Sequence, residues 1–196
     1  MMDFAMAPRA PPPAPRTPPT KADLEAARRK TVRDVIRPGL DVLFVGINPG
    51  LYTAAIGHHF GRPGNRFWPA LNLSGLLRRP LTPYDSECLL ESNLGITNIV
   101  ARATARADEL SREELRRGAR ILMRKILRLK PRQAAFLGLG LYRDAFDRPR
   151  ARVGLQRETI GATKLWVFPN PSGLNAHWHI PDYARMFRRL KSSGRE

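Results

Sequence analysis

The segment Asp41-Val42-Leu43-Phe44-Val45-Gly46-Ile47 constrains the fold more than any other part of the chain. It is a continuous β-branched and apolar run, with no polar residue alternating into it. Such a run reads as a strand buried on both faces, and strands of that kind belong to sheets covered by helices on both sides. Gly95-Ile96-Thr97-Asn98-Ile99-Val100, Gln133 to Leu137 and Leu165-Trp166-Val167-Phe168 read as further short strands. Helical patterns separate them. This alternation predicts an α/β fold, a three-layer α/β/α sandwich around a central, mostly parallel sheet of four to five strands.

The helices follow from caps and breakers. Thr20 and Asp23 suggest a start, with helix expected to about Ile36 and ended by Pro38-Gly39. Residues 51–64, Gly-rich with one proline and two histidines, read as a loop of functional length. Asn65 to about Leu77 looks helical, with Phe67, Trp68, Leu71 and Leu76 inward, and a shorter helix is expected from Pro83 to Glu91. Ser111 with Glu114 forms a capping box for the longest helix, which runs to about Leu129 before Pro131. Its inward stripe is Leu115, Ala119, Leu122, Ile126 and Leu129. Its other side carries Arg112, Arg116, Arg120, Arg124 and Arg128, a run that on its own reads as a solvated face. A last basic helix spans about Pro181 to Lys191. Residues 1–20, rich in Pro and Ala, read as a disordered tail before a single domain over residues 21–196.

Composition narrows the function. The chain has 34 lysines and arginines against 17 aspartates and glutamates, a net +17. That excess points to a polyanionic partner, nucleic acid first. Cys88 is the one cysteine, which rules out an intramolecular disulfide, a cysteine-based zinc site and a four-cysteine iron–sulfur cluster. In the apolar stretch Cys88-Leu89-Leu90 it reads as a small buried hydrophobe. No histidine falls in an H-E-x-x-H frame, and neither phosphate-cradling glycine motif is present, so no metal and no cofactor are expected. With no apolar run of membrane-spanning length and no signal peptide, no membrane partner is expected. The anticipated setting is intracellular, cytoplasmic or nucleoid-associated.

In open α/β sheets ligands sit outside the carboxyl ends of the strands. Two turn motifs fall there. In Gly46-Ile47-Asn48-Pro49-Gly50, Asn48 is thrown out at the rim of a buried strand, where its amide can orient a water or read a base edge. Pro49 fixes the turn and Gly50 lets backbone come close to a ligand. In Asn170-Pro171-Ser172-Gly173-Leu174-Asn175, turn residues present an apolar Leu174, suited to pushing into a base stack. Taken singly, each motif is better read as an ordinary surface turn.

Together the two motifs resemble the uracil-DNA glycosylase superfamily, and within it the mismatch-specific uracil/thymine-DNA glycosylase family. That family carries G-I-N-P-G near its N-terminus and N-P-S-G-L near its C-terminus. Gly57-His58-His59-Phe60, Pro63-Gly64-Asn65-Arg66-Phe67-Trp68, Gly95-Ile96-Thr97-Asn98 and Arg117-Gly118-Ala119-Arg120 are also similar, so the likeness spans about residues 31–190. It implies that Asn48 positions the attacking water and that Phe60 stacks on the flipped base. It further implies that the backbone N–H groups of Ile47 and Phe60 read the uracil carbonyl edge. Asn170 would contact the base or neighbouring phosphates. Gly173, Leu174 and Asn175 would form a wedge in the duplex, and Gly46, Pro49, Gly50, Tyr52, Thr53, His59 and Asn65 would flank the pocket. The implied activity is a glycosylase of base excision repair. It removes uracil, with thymine or modified pyrimidines as further candidates, from mismatched duplex DNA, chiefly opposite G. A monomer is expected, because a flipped base needs one pocket.

An amide cannot act as a general base near neutral pH, so the expected chemistry leans on stabilising the departing uracil anion. A carboxylate assisting Asn48 is a further expectation. Asp41, Asp85 and Glu87 are candidates and Asp85 ranks first, although a helix-terminal charge favoured by the dipole is the more ordinary account of it. Tyr52 and Thr53 stand where the family often has small residues, and Asn175 replaces a more usual serine. Two alternatives stay open: a non-catalytic lesion- or mismatch-binding DNA protein, and a uracil glycosylase preferring single strands.

Overall fold

The computed structural model describes residues 17–192. Up to residue 16, the tail expected over residues 1–20 lies outside them. Five strands form one sheet: β1 (Val42–Gly46), β2 (Leu94–Asn98), β3 (Gln133–Leu137), β4 (Gly154–Ile160) and β5 (Thr163–Phe168). Their order is β2-β1-β3-β5-β4. Every neighbouring pair is parallel except β4 with β5. The helices are α1 (Lys21–Ala26), α2 (Leu51–Ile56), α3 (Phe67–Leu73), α4 (Arg112–Leu129), α5 (Leu139–Phe146) and α6 (Ile180–Ser192), with 3₁₀ turns at Ala27–Arg29, Pro83–Ser92 and Ala107–Glu109.

Successive strand side chains point to opposite faces, which divides the core in two. Phe44, Ile96, Ala135, Trp166 and Phe168 pack under Phe67, Trp68 and Leu71 of α3 and Tyr183, Phe187 and Leu190 of α6. Leu43, Val45, Ala134, Phe136, Leu165 and Val167 pack under α4 and under Tyr142 and Ala145 of α5. The three layers predicted from the strand pattern are therefore present. The α4 stripe Leu115, Ala119, Leu122, Ile126 and Leu129 is buried, and the Ser111–Glu114 capping box forms as read.

Several expectations need correction. The first helix stops at Arg29 rather than Ile36. Val35 instead exchanges backbone hydrogen bonds with Ile96, both at 2.9 Å. Asp34 accepts from the Thr97 hydroxyl at 2.8 Å and pairs with Lys125 of α4. Long-range pairing of β-branched residues thus overrides local helix propensity. Residues 51–56, read as loop, form α2 between Gly50 and a left-handed Gly57. The helix over 65–77 is shorter, at Phe67–Leu73, and the segment after Pro83 is 3₁₀. α5 and β4 had no counterpart in the sequence reading. Cys88 is half-buried, its sulfur packed against the core.

The parallel strands end nearly level: Gly46 is in register with Asn98, and Leu137 with Phe168. The chain leaves β1 toward the α3 side and leaves β3 toward the α5 side. The crevice between those ends is where an α/β sheet opens to a ligand.

Candidate active site

A cleft of about 950 Å³ opens at those carboxyl ends. The rim of β1 contributes Ile47, Asn48, Pro49 and Gly50, and α2 contributes Tyr52 and Thr53. The following loop adds His59, Phe60 and Asn65, and the segment after β5 adds Asn170, Ser172, Leu174 and Asn175. The two motifs, over a hundred residues apart in sequence, therefore face one another. Asn98, Thr104, Arg106 and Asp108 also line the cleft. Among the described residues, no group of three or more His, Cys, Asp or Glu side chains could hold a metal ion. No described helix is long and apolar enough to cross a membrane.

Asn48 is half-buried and its amide is fixed from one side. Nδ2 donates to the Arg102 carbonyl at 2.9 Å and to Thr104 Oγ1 at 2.7 Å. An amide nitrogen has two hydrogens, so both are engaged. Oδ1 then has no protein donor among the described residues and is left as an acceptor at the cleft. Thr104 is itself held by backbone bonds to both sides of Gly50, Thr104 N to Pro49 O at 3.2 Å and Leu51 N to Thr104 O at 3.1 Å.

Phe60 has φ +53°, in the left-handed region that non-glycine residues seldom adopt. Its ring stacks on Phe67 with centroids 4.3 Å apart. It lies beside Gly46, where a Cβ would sit 3.1 Å from the ring and 2.4 Å from Asn98 Oδ1. A side chain at position 46 forces one of these two neighbours to move. Asn98 is half-buried, lines the cleft and makes no side-chain hydrogen bond to a described residue. Sequence reasoning named it only within the segment Gly95-Ile96-Thr97-Asn98 and gave it no role, although that segment was the available signal.

The wedge motif is a braced loop. The Arg66 guanidinium donates to the carbonyls of Ser172 at 2.8 Å, Asn175 at 2.9 Å and Gly173 at 3.4 Å, while its backbone N–H donates to Pro171 at 2.9 Å. Gly173 packs so closely on Gly64 that a Cβ would meet its carbonyl oxygen at 2.8 Å. The Tyr183 hydroxyl donates to the Asn170 carbonyl at 2.7 Å, and burial pushes its pKa up to about 12, so it stays a donor. On this brace Leu174 is 82% exposed at the mouth of the cleft, not folded back on the core. The Asn175 amide is turned inward, donating to the Asn170 carbonyl and the Tyr183 hydroxyl and accepting from the His177 N–H. Asn170 Oδ1 accepts from the Ser172 N–H, which leaves its Nδ2 as the group facing the cleft. Asn65 Oδ1 accepts from the Phe67 N–H just before α3 begins.

Asp85 does not reach the site. It is absent from the cleft lining and only 6% exposed, with Oδ2 accepting from the Thr82 N–H and hydroxyl at the start of the 3₁₀ turn. The expectation that it assists Asn48 fails on that geometry, because a buried capping carboxylate cannot reach a substrate in the cleft. Asp41 and Glu87 are likewise outside the lining. The one carboxylate in it, Asp108, receives hydrogen bonds from Arg106, which lower its pKa. His59 is 2% exposed. Its Nε2 faces the Arg33 carbonyl at 2.9 Å and therefore carries the proton, and burial lowers its pKa. Its ring is a structural group behind the pocket. His58 lies against Tyr84, its pKa also lowered by burial.

The arrangement supplies oriented amides, an aromatic platform and an apolar tip, without a free general base or a metal site among the described residues. Compared with known protein families, the chain matches the Uracil DNA glycosylase superfamily over residues 33–191, about four-fifths of its length.

Proposed function

The chain belongs to the uracil DNA glycosylase superfamily, whose activity is hydrolytic release of uracil from DNA, and on that premise we propose that it is a mismatch-specific, monofunctional member. It acts as a monomer on duplex DNA, flips uracil opposite guanine, and releases it in base excision repair. Thymine and modified pyrimidines are secondary substrates. The observation that carries this reading is the Asn48 amide, held nitrogen-inward so that its oxygen is free at the cleft.

A water hydrogen-bonded to Asn48 Oδ1 is positioned below the sugar. The N-glycosidic bond breaks with its electron pair leaving on the uracil, so the sugar gains oxocarbenium character. The water adds to the anomeric carbon and loses its proton to solvent or to the departing base. Asn48 takes no proton; it orients. The uracil anion is met by the backbone N–H groups of Ile47 and Phe60 and by the braced amide of Asn170, with the unheld Asn98 amide able to turn toward it. Phe60, backed by Phe67, stacks on the base.

Extruding a base costs a few kcal/mol of unstacking, and less for a G·U mismatch than for a sound pair. The exposed Leu174 suits filling the gap left behind, which favours duplex over single-stranded substrate and mismatched over matched pairs.

The test is base release from duplex DNA with one uracil opposite guanine, run beside U·A and single-stranded substrates. Release fastest at G·U, and lost in Asn48→Ala, is the expected result. Tight binding without release would make the protein a lesion binder. Equal release from single strands would remove the mismatch reading.

A further inference from the structure

The basic side of α4 divides into two parts. Arg112 and Arg116 face α5 and pair with its acidic residues, Arg112 with Asp144 and Arg116 with Asp147 just past the helix end. Arg117, Arg120, Arg124 and Arg128 are all exposed and make no ion pair or hydrogen bond with another described residue. Their spacing of three and four residues puts them in one stripe, about 16 Å long, on the side away from the sheet. Glu113, one turn before, makes no ion pair with them. Like charges at this spacing repel along a helix. A stripe of four, in a chain with the excess of arginine this one has, suggests an anion supplied from outside.

The stripe is not part of the cleft. α4 begins after the segment that carries Thr104 and runs back toward the opposite edge of the sheet. There the Leu129 carbonyl accepts from the Gly39 N–H at 2.8 Å, just before β1 begins. The arginines therefore lead away from the carboxyl edge, and none lines the cleft.

We propose that the Arg117–Arg120–Arg124–Arg128 face of α4 is a second, sequence-independent binding surface for the phosphate backbone of duplex DNA, separate from the cleft. Charge and spacing carry this. A duplex of the stripe's length presents roughly nine phosphates, and guanidinium groups engage phosphate oxygens bidentately. Such a face lets one molecule hold a second DNA segment while the first occupies the cleft. This goes beyond the glycosylase reading, and only the filling of the cleft in its test rests on that reading.

The test is binding stoichiometry. The cleft is first saturated with a short duplex carrying one abasic site, just long enough to span it, and labelled unmodified duplex is then titrated in. A second duplex bound per protein is expected, with affinity falling steeply with salt. The variant with R117Q, R120Q, R124Q and R128Q should lose that second duplex and keep the first. In the wild-type protein the salt slope of the second binding step should be about −0.9 for each phosphate the stripe engages. The four Arg→Lys substitutions should retain it, which separates lost charge from lost fold. One duplex per wild-type molecule, or a second duplex that survives the four glutamines, would overturn the proposal. Binding of an acidic polypeptide but not of a second duplex would assign the face to a protein partner and equally overturn it.

Discussion

Thr104 Oγ1 accepts a hydrogen bond from Asn48 Nδ2 at 2.7 Å, across 56 residues of chain. With the Arg102 carbonyl it decides which end of the amide meets the cleft. Thr104→Val keeps the shape and removes the acceptor, so one Nδ2 hydrogen is left unsatisfied and the amide is free to turn over. A net hydrogen bond of about 1 kcal/mol is at stake. Base release in a single turnover should slow on the order of tenfold with thermal stability little changed. Thr104→Ser should restore most of the rate. A Val variant with the wild-type rate would mean that Asn48 is oriented by something else.

Arg66 braces the wedge loop through three carbonyls. A planar guanidinium can reach all three where an ammonium cannot. Arg66→Lys should therefore behave nearly as badly as Arg66→Met. Hydrogen bonds from a charged donor contribute about 1.5–3 kcal/mol, so a drop in melting temperature should accompany slower release from duplex. Melting curves and duplex-to-single-strand rate ratios would check both, and full rescue by Lys would show the brace to be simple charge.

Leu174 at the loop tip has little to lose in folding, being largely in water already. Leu174→Ala should alter stability by less than about 0.5 kcal/mol. Its cost should appear only where a duplex must be held open: release from G·U duplex falling on the order of tenfold, with single-stranded uracil unaffected. Equal losses on both substrates would place Leu174 in the pocket, not the wedge.

Asn48, Leu174, Thr104 and Arg66 show how much the chain discloses in one dimension. Asn48 and Leu174 were legible because each sits in a local motif of turn residues at a strand's carboxyl end. The bracing roles of Thr104 and Arg66 were not, because their partners lie 56 and over a hundred residues away; Arg66 stands in a segment similar to the family, but nothing local says what it holds. The same split runs through the fold. β1, β3 and the inward stripe of α4 follow from apolar periodicity. β4 is an antiparallel edge strand with a mostly exposed, charged sequence, so its pairing with β5 and not its composition makes it a strand. α2 is a single short helix between glycines, stable only by packing against its neighbours. Asp85 misled because a carboxylate near a helix start serves a cap as readily as a reaction.

His59 predicts an acid limit. Burial lowers its pKa below the ordinary 6.5, so the folded state keeps the ring neutral where the unfolded chain would protonate it. Stability from this source is whole above pH 6.5. It is lost as pH falls below that value, where the unfolded state binds the extra proton, and it levels off once the folded-state pKa is passed. His58 shifts the same way and adds to the loss. Denaturant midpoints between neutral and mildly acidic pH should therefore decline, and less steeply in His59→Gln. An identical slope in that variant would exclude the ring.

Gly46 links the strand to the stacking platform. A Cβ there would lie 2.4 Å from Asn98 Oδ1 and 3.1 Å from the Phe60 ring. The Asn98 side chain can swing aside, since no described residue holds it. Phe60 cannot yield as easily, with its ring against Phe67 and its backbone at φ +53°. In Gly46→Ala, then, Asn98 swings aside, while the added methyl stays pressed on the Phe60 ring and displaces the base stacked there. The overpacking should cost about 1–3 kcal/mol of stability. A displacement of about an ångström at a stacking surface is worth on the order of a hundredfold in rate. We expect a folded protein that binds duplex DNA, because the basic surface and Leu174 are untouched, yet releases uracil about a hundredfold more slowly. A Gly46→Ala enzyme with normal turnover would mean that the base does not lie on Phe60. Asn48 would then have to be reassigned along with it, since both are read from the same end of β1.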